Sequence, residues 1–310
     1  MAGTRGSVSV NWKARVRKLG GWEQAPPVPV GLDTLERDWR FRPSRADPKT
    51  LLARRHWRHW GAAPATKTIR PITPHAQWIA YFIYLPTGGL TAAHRFTLER
   101  LRAARAARLA IICATPDLAD IPDELTGIAD ALYWKALGGF DFSAYGLAIR
   151  ETARCSPGAD LLVLNDSVFG PFVPVDDLWS QMRWDLSGFT VSGQMQNHLQ
   201  SYAFCLRNVD DRTFTALADI FPEGGAFDDY RAVVLWQETR FATVASRAMS
   251  VGALWYGDVR RCLDPTLFAA LPLVEAGFPF LKRGLLGKHA GIYSEEAIRA
   301  TLAAQGHPAP

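Results

Sequence analysis

The sequence predicts an α/β protein: a mixed, largely parallel sheet flanked by helices. Two observations carry this. From residue 78 to about 180, short apolar runs bounded by turn residues alternate with amphipathic stretches, which gives parallel strands joined by helical crossovers. One run, Leu161-Leu-Val-Leu164, passes directly into the polar triplet Asn165-Asp166-Ser167 and the turn Gly170-Pro171. Polar groups at the carboxyl end of a buried strand sit where open α/β sheets bind ligands. A plain Asn/Asp turn uses the same residues.

Each element has its own signal. Residues 78–85 form a continuous apolar run and read as a buried strand. Pro86-Thr87-Gly88-Gly89 is a turn, and 90–108 is a helix with Leu90, Ala93, Thr97, Leu98 and Leu101 on one face. Strands over 109–114, 131–134 and 161–164 alternate with a weak helix over 122–128 and a longer one over 142–154. Residues 176–182 read as a helix, 188–192 and 199–206 as extended segments either side of a polar loop, and 214–220 and 230–250 as helices, the latter interrupted or bent. A last helix, 294–304, is capped by Ser294 with Glu296 in its first turn. In the first 75 residues the spacing predicts a short helix over 33–39 capped by Asp33 and another over 49–60. Pro26-Pro-Val-Pro29 reads as a stiff linker.

At 310 residues, with 48% hydrophobic and 21% charged, the chain is an ordinary globular protein with an ample core. The run at 78–85 is too short to span a bilayer, and the N-terminus carries no signal-peptide stretch. Cys113, Cys155, Cys205 and Cys262 are widely spaced with no Cys-x-x-Cys pair, which speaks for reduced thiols in a cytoplasmic protein and against a disulfide framework or structural zinc. Residues 1–75 hold fifteen Lys/Arg against five Asp/Glu, a charge of +10; the other 235 hold twenty against twenty-five, a charge of −5. The expected division is a basic, Trp-bearing extension over 1–75 and a catalytic body over 76–310, itself a nucleotide-sugar half (76–180) and an acceptor half (181–310). The tryptophans at 12, 22, 39, 57 and 60 and the basic charge suit peripheral contact with anionic membrane. The basic residues match no nucleic-acid-binding module, so no nucleic acid is expected.

Four blocks, in order, resemble the rhamnan synthesis F family of polysaccharide glycosyltransferases: Gly139-Phe-Asp-Phe-Ser-Ala-Tyr145, Asn165-Asp-Ser-Val-Phe-Gly-Pro171, Gly188-Phe-Thr190 followed by His198-Leu-Gln-Ser-Tyr202, and Gly277-Phe-Pro-Phe-Leu-Lys282. The resemblance covers about residues 78–287. It implies a GT-A-like, Rossmann-type sheet, a nucleoside-diphosphate sugar donor such as a deoxysugar nucleotide, and an acceptor glycan, lipid-linked at the inner membrane face. The chain departs from the family at Leu137, where an Asn is expected, and at Tyr145, where a Trp is expected.

Sugar transfer needs a held nucleotide, charge offset on the leaving diphosphate, and a base for the acceptor hydroxyl. Asp166 is the first donor candidate, to orient the ribose or hold a cation, with Asn165 and Ser167 beside it. The outer positions of an Asp-x-Asp are Asn165 and Ser167 here, poor ligands for Mg²⁺ or Mn²⁺, so a divalent cation is weakly supported and no organic cofactor is expected. Asp141 is the second donor candidate; a helix-capping role is the alternative. The amides of Thr87 and Gly88 could approach the nucleotide. Lys282 could offset leaving-group charge or snorkel from the core. Glu238 is the base candidate, since Glu238-Thr-Arg-Phe-Ala-Thr-Val-Ala-Ser-Arg247 resembles the Glu-Asp-x-x-Leu-x-x-Arg segment of GT-A enzymes; an exposed, ion-paired Glu is the alternative. His198 is placed with the catalytic or acceptor residues, and Gln200, Ser201 and Tyr202 with the acceptor. The rival to an inverting transferase is a catalytically inactive glycan-binding or scaffold protein.

Overall fold

The computed structural model describes residues 28–57 and 60–309. Its strands are β1 (Leu35–Arg40), β2 (Gly61–Ala62), β3 (Thr66–Arg70), β4 (Gln77–Tyr84), β5 (Arg108–Ala114), β6 (Ala131–Lys135), β7 (Ala159–Asn165), β8 (Val168–Phe169), β9 (Leu186–Ser192), β10 (His198–Leu199), β11 (Ala203–Val209), β12 (Gly225–Ala226), β13 (Val251–Gly257) and β14 (Leu281–Lys282). Ten of them form one sheet in the order β1-β13-β9-β11-β7-β4-β5-β6-β3, with β10 on β9. β4 lies at its centre, parallel to both β5 and β7, so its apolar run is buried on both faces. The chain steps from β4 to β5 to β6 in one direction and returns to β7 on the other side of β4. The switch point of the sheet therefore falls between β4 and β7, at whose carboxyl ends such sheets open a crevice. β11 runs antiparallel between β7 and β9, and β9 and β13 are parallel, which makes the sheet mixed.

Helices cover both faces and seal two apolar clusters. One packs Phe142, Tyr145, Phe204, Phe221 and Phe241 together, and the other packs Ile79, Tyr81, Leu98, Phe189 and Phe280. Helix Ala92–Arg102 is shorter than the periodicity predicts, and buries Ala93, Thr97, Leu98 and Leu101 as expected. Helix Phe140–Cys155 matches its prediction closely. The predicted helix over 214–220 starts earlier, at Asp211–Ala216, where the Asp210 carboxylate caps it. The bend expected within 230–250 is a π turn, Val233–Glu238, between two α-helical segments.

The helix predicted over 33–39 is instead a single 3₁₀ turn, Leu32–Thr34, followed by β1, which pairs antiparallel with β13. Asp33 makes no cap. A tertiary partner overrides the local signal: Trp39 stacks on Tyr256 with ring centroids 4.2 Å apart and is buried. At the opposite edge β3 pairs with β6. The described part of the basic segment thus supplies both edges of the sheet. Its helix, Pro48–His56, is capped by Asp47, which accepts the Thr50 amide at 2.8 Å. Trp12 and Trp22, on which the membrane expectation partly rests, and the start of the Pro-rich linker lie outside the described residues. The four cysteines are free thiols. Among the described residues no helix is long and apolar enough to cross a membrane.

Candidate active site

Parts of the four blocks come together near the carboxyl end of β7: Asp141 on Asn165, the Tyr202 carbonyl on the Asn165 amide, and Lys282 opposite Val168. Gly139 and Phe140 both adopt left-handed backbone, at φ 78° and 48°. For a phenylalanine this costs on the order of 1–3 kcal/mol, a strain that local contacts must hold in place. Here the Gly139 amide donates to Asp228 Oδ1 at 2.9 Å, and the buried Lys135 ammonium donates to the Ala136 carbonyl at 3.0 Å and to that of Gly138. Burial pushes Lys135 down to about 8, against the pull of Asp141 and Asp228.

This strained turn sets Asp141 in the first turn of helix Phe140–Cys155. Its Oδ1 accepts the Phe142 amide at 3.0 Å, and its Oδ2 accepts the Tyr145 hydroxyl at 3.2 Å and the Asn165 amide at 2.9 Å. The Asn165 side chain also donates to the Tyr145 hydroxyl at 2.7 Å, and its carbonyl takes the Ser167 amide and hydroxyl at 3.0 and 2.6 Å. Asn165 is thus an organiser of the cluster. Burial first, and the negative charge of Glu238 second, push the Asp141 carboxyl up from 3.8 to about 6.

That shift has a stability consequence. A buried carboxyl with a raised pKa favours folding in its neutral form, so the stabilisation is full below about pH 4 and is lost as pH rises through about 6. Asp141→Asn removes the titration. Across pH 4–7 the stability of wild type should fall relative to the variant by up to about 3 kcal/mol, read as melting temperature against pH. Parallel curves would contradict the shift.

Glu238 ends the π turn. Its Oε1 accepts the Ser201 amide at 3.2 Å and hydroxyl at 2.9 Å, while Oε2 has no hydrogen-bond partner among the described residues. Strand alternation separates Asp166 from Asn165 and turns it to the opposite face of the sheet. There its Oδ2 accepts the Tyr84 amide at 3.0 Å and lies 3.5 Å from His94 Nε2, while Arg283 donates to the Asp166 carbonyl at 3.0 Å.

The fourth block reaches the crevice by pairing. β14 pairs with β8, which sets Lys282 opposite Val168. Gly170 permits this approach, because a Cβ there would meet the Pro279 carbonyl oxygen at 2.2 Å. Lys282 Nζ stands 5.8 Å from the Tyr202 ring centroid, and Lys288 Nζ 5.5 Å from that of Tyr230. Burial pushes Lys288 and His289 down, and Lys282 adds to both shifts, which marks one crowded cationic group. Glu238 and Asp264 pull the other way on Lys288. Lys288 and His289 are not singled out in the sequence. The signal that could find them is the basic run of Lys282, Arg283, Lys288 and His289 after the Phe278-Pro-Phe280 anchor.

Other candidates stand apart from this cluster. His198 is buried on β10, with Nδ1 at 2.8 Å from the Gln196 carbonyl, and among the described residues no hydrogen bond or ion pair joins it to Asp141 or Glu238. Gln200 is buried and donates to Asp264 at 2.9 Å, and Tyr202 bonds Thr190 at 2.9 Å, so both serve the packing beneath the crevice. Of the three acceptor candidates only Ser201 touches Glu238. Thr87 and Gly88 lie on the turn after β4, where the Gly88 amide bonds the Leu85 carbonyl at 3.1 Å.

One oxygen of Asp166 takes the Tyr84 amide and faces His94, Asn165 spends its carbonyl on Ser167, and among the described residues no three His, Cys, Asp or Glu side chains converge.

No family model and no curated protein matches the sequence. Among solved structures the chain is similar to 4-diphosphocytidyl-2C-methyl-D-erythritol synthase from Anaerococcus prevotii, with 10% identity, TM-score 0.37, and coverage of 65% of this chain and 95% of that one. It is similar to a putative nucleotide-diphospho-sugar transferase from Desulfovibrio desulfuricans, with 14% identity, TM-score 0.35, and coverage of 75% and 97%. It is also similar to the mannosyltransferase PcManGT from Pyrobaculum calidifontis, solved with GDP-Man and Mn²⁺, with 10% identity, TM-score 0.35, and coverage of 84% and 83%. Likenesses this distant do not bear on activity.

Proposed function

We propose that the chain is a glycosyltransferase that moves a sugar from a nucleoside-diphosphate donor to a glycan acceptor. One observation carries the reading: Glu238, held through Oε1 by Ser201 and with no hydrogen-bond partner on Oε2 among the described residues, acts electrostatically on Lys288, which is crowded by Lys282. Transfer needs a base and a cationic counterpart close together. As the acceptor oxygen bonds the anomeric carbon, its proton passes to Glu238. The bond from that carbon to the diphosphate oxygen breaks, and the charge left on the diphosphate is met by Lys282 and Lys288. Attack on the face opposite the leaving group inverts the anomeric centre. Ser201 fixes Glu238, and Asn165 and Tyr145 fix Asp141 beside it. Asp166 orients the donor from the other side of β7. The finer reading, a deoxysugar donor and a growing cell-surface glycan on a lipid carrier as acceptor, rests on the family resemblance of the four blocks. That acceptor would set the enzyme at the inner membrane face, with basic residues of the first 75 as the contact and buried Trp39 taking no part in it.

Calorimetric titration with UDP-glucose, UDP-N-acetylglucosamine, GDP-mannose and dTDP-rhamnose tests the donor. The expected result is binding of at least one nucleotide sugar. The double variant Lys282→Met, Lys288→Met should weaken that binding about tenfold or more while leaving the affinity for the bare nucleoside unchanged. Equal affinity in the variant would remove these lysines from the diphosphate.

A further inference from the structure

We propose that Arg54, on the N-terminal helix Pro48–His56, is a positioning residue that holds the candidate base in its working orientation by stabilising a π turn. The inference rests on Glu238 being the base of a transferase.

In a regular α-helix the Thr239 amide would bond the carbonyl of Leu235, four residues back. Here it bonds that of Val234, five back, and the π turn Val233–Glu238 results. The widened turn takes the Thr239 amide away from the Leu235 carbonyl, which accepts side-chain donors in its place. Arg54 is the closer of them: Nε donates to the Leu235 carbonyl at 2.8 Å. Its other arm completes a network, with Nη2 at 2.8 Å from Gln196 Oε1 and 2.9 Å from Thr239 Oγ1. Thr239 Oγ1 in turn bonds the Val234 and Leu235 carbonyls at 2.8 and 3.1 Å, and Gln196 Nε2 bonds the Thr239 carbonyl at 2.5 Å.

A planar fork with donors on two sides suits this task, since it serves the Leu235 carbonyl and the polar loop together. Burial pushes the Arg54 guanidinium down, and Arg240 pushes it further, with Asp47 in partial opposition. The cation is thus held where its hydrogen-bond partners are neutral, which costs free energy and needs a return elsewhere. The return is register. Closing the π turn to an α turn would shift the helix after it by one residue, about 100° of rotation around the axis. Glu238 Oε1 would then leave the amide and hydroxyl of Ser201.

The test compares wild type, Arg54→Ala, Glu238→Gln and the double variant in release of nucleoside diphosphate from UDP-glucose, UDP-N-acetylglucosamine, GDP-mannose and dTDP-rhamnose, alongside hydrogen exchange of individual amides. In Arg54→Ala the release rate should fall about 10- to 100-fold with the donor KM within about twofold of wild type, and the loss should not multiply with that of Glu238→Gln. The Ser201 amide should exchange at least about tenfold faster, while Phe204 and Cys205 on β11 keep wild-type exchange. Multiplicative losses, an unchanged rate, or unchanged exchange at Ser201 would overturn the proposal, as would faster exchange throughout the sheet. If wild type releases diphosphate from none of the four, the transferase reading fails, and exchange at Ser201 alone decides whether Arg54 holds the turn.

Discussion

Glu238→Gln is expected to bind the donor nucleotide sugar with near-normal affinity and to transfer sugar roughly 10²–10⁴-fold more slowly, the range for loss of a positioned base. Glutamine keeps the size of the side chain, and its carbonyl oxygen can still accept the Ser201 amide and hydroxyl that now hold Oε1. It has no basic oxygen to take the acceptor proton. The binding isotherm and the turnover assay must come from one preparation, because the separation of the two effects is the result. Normal turnover would move the base to another carboxylate, Asp141 being nearest in the cluster. Loss of donor binding together with the melting transition would make Glu238 a structural residue.

The largest effect on stability is expected from Gly170→Ala. The backbone there has φ 113°, a conformation that side-chain-bearing residues rarely adopt, and the added Cβ would sit 2.2 Å from the Pro279 carbonyl oxygen. That oxygen accepts the Phe172 amide at 2.9 Å, and the Gly170 carbonyl accepts the Thr97 hydroxyl at 2.7 Å, so neither side can withdraw freely. The cost should be about 3 kcal/mol or more, which for a chain of this size lowers the melting temperature by roughly 5 °C or more. The same strain acts on the β8–β14 pairing that carries Lys282, so donor affinity in the folded variant should fall as well. Wild-type melting and affinity would show that the turn relaxes without consequence.

Legibility in the sequence depended on whether local residues decide the outcome. β4, β5 and β7 are continuous apolar runs because each has a neighbour on both sides and helices on both faces, and so their existence and order could be read directly. β1 could not. Asp33-Thr-Leu-Glu-Arg-Asp-Trp39 carries a credible helix start, and pairing with β13, more than two hundred residues away, makes it a strand. The Asn-Asp-Ser triplet was legible as a site but not as two sites. The strand period sends Asn165 toward Asp141 and Asp166 toward His94, which shows only once the faces have partners. His198 and Gln200 read as catalytic or acceptor residues because they follow a polar loop; the Gln196 carbonyl and Asp264 fold them inward. The interruption within 230–250 was legible, but not that it is a π turn. Its register is fixed by Arg54 and Gln196, from two other parts of the chain.

The most direct test of the transferase reading is the time course of nucleoside diphosphate release from a panel of nucleotide sugars by wild-type protein, with the Glu238→Gln variant as its control. Catalytic release from at least one member of the panel, reduced at least about 100-fold in the variant, is the predicted result. Absence of both binding and release across the panel, or equal release by the two proteins, would contradict it.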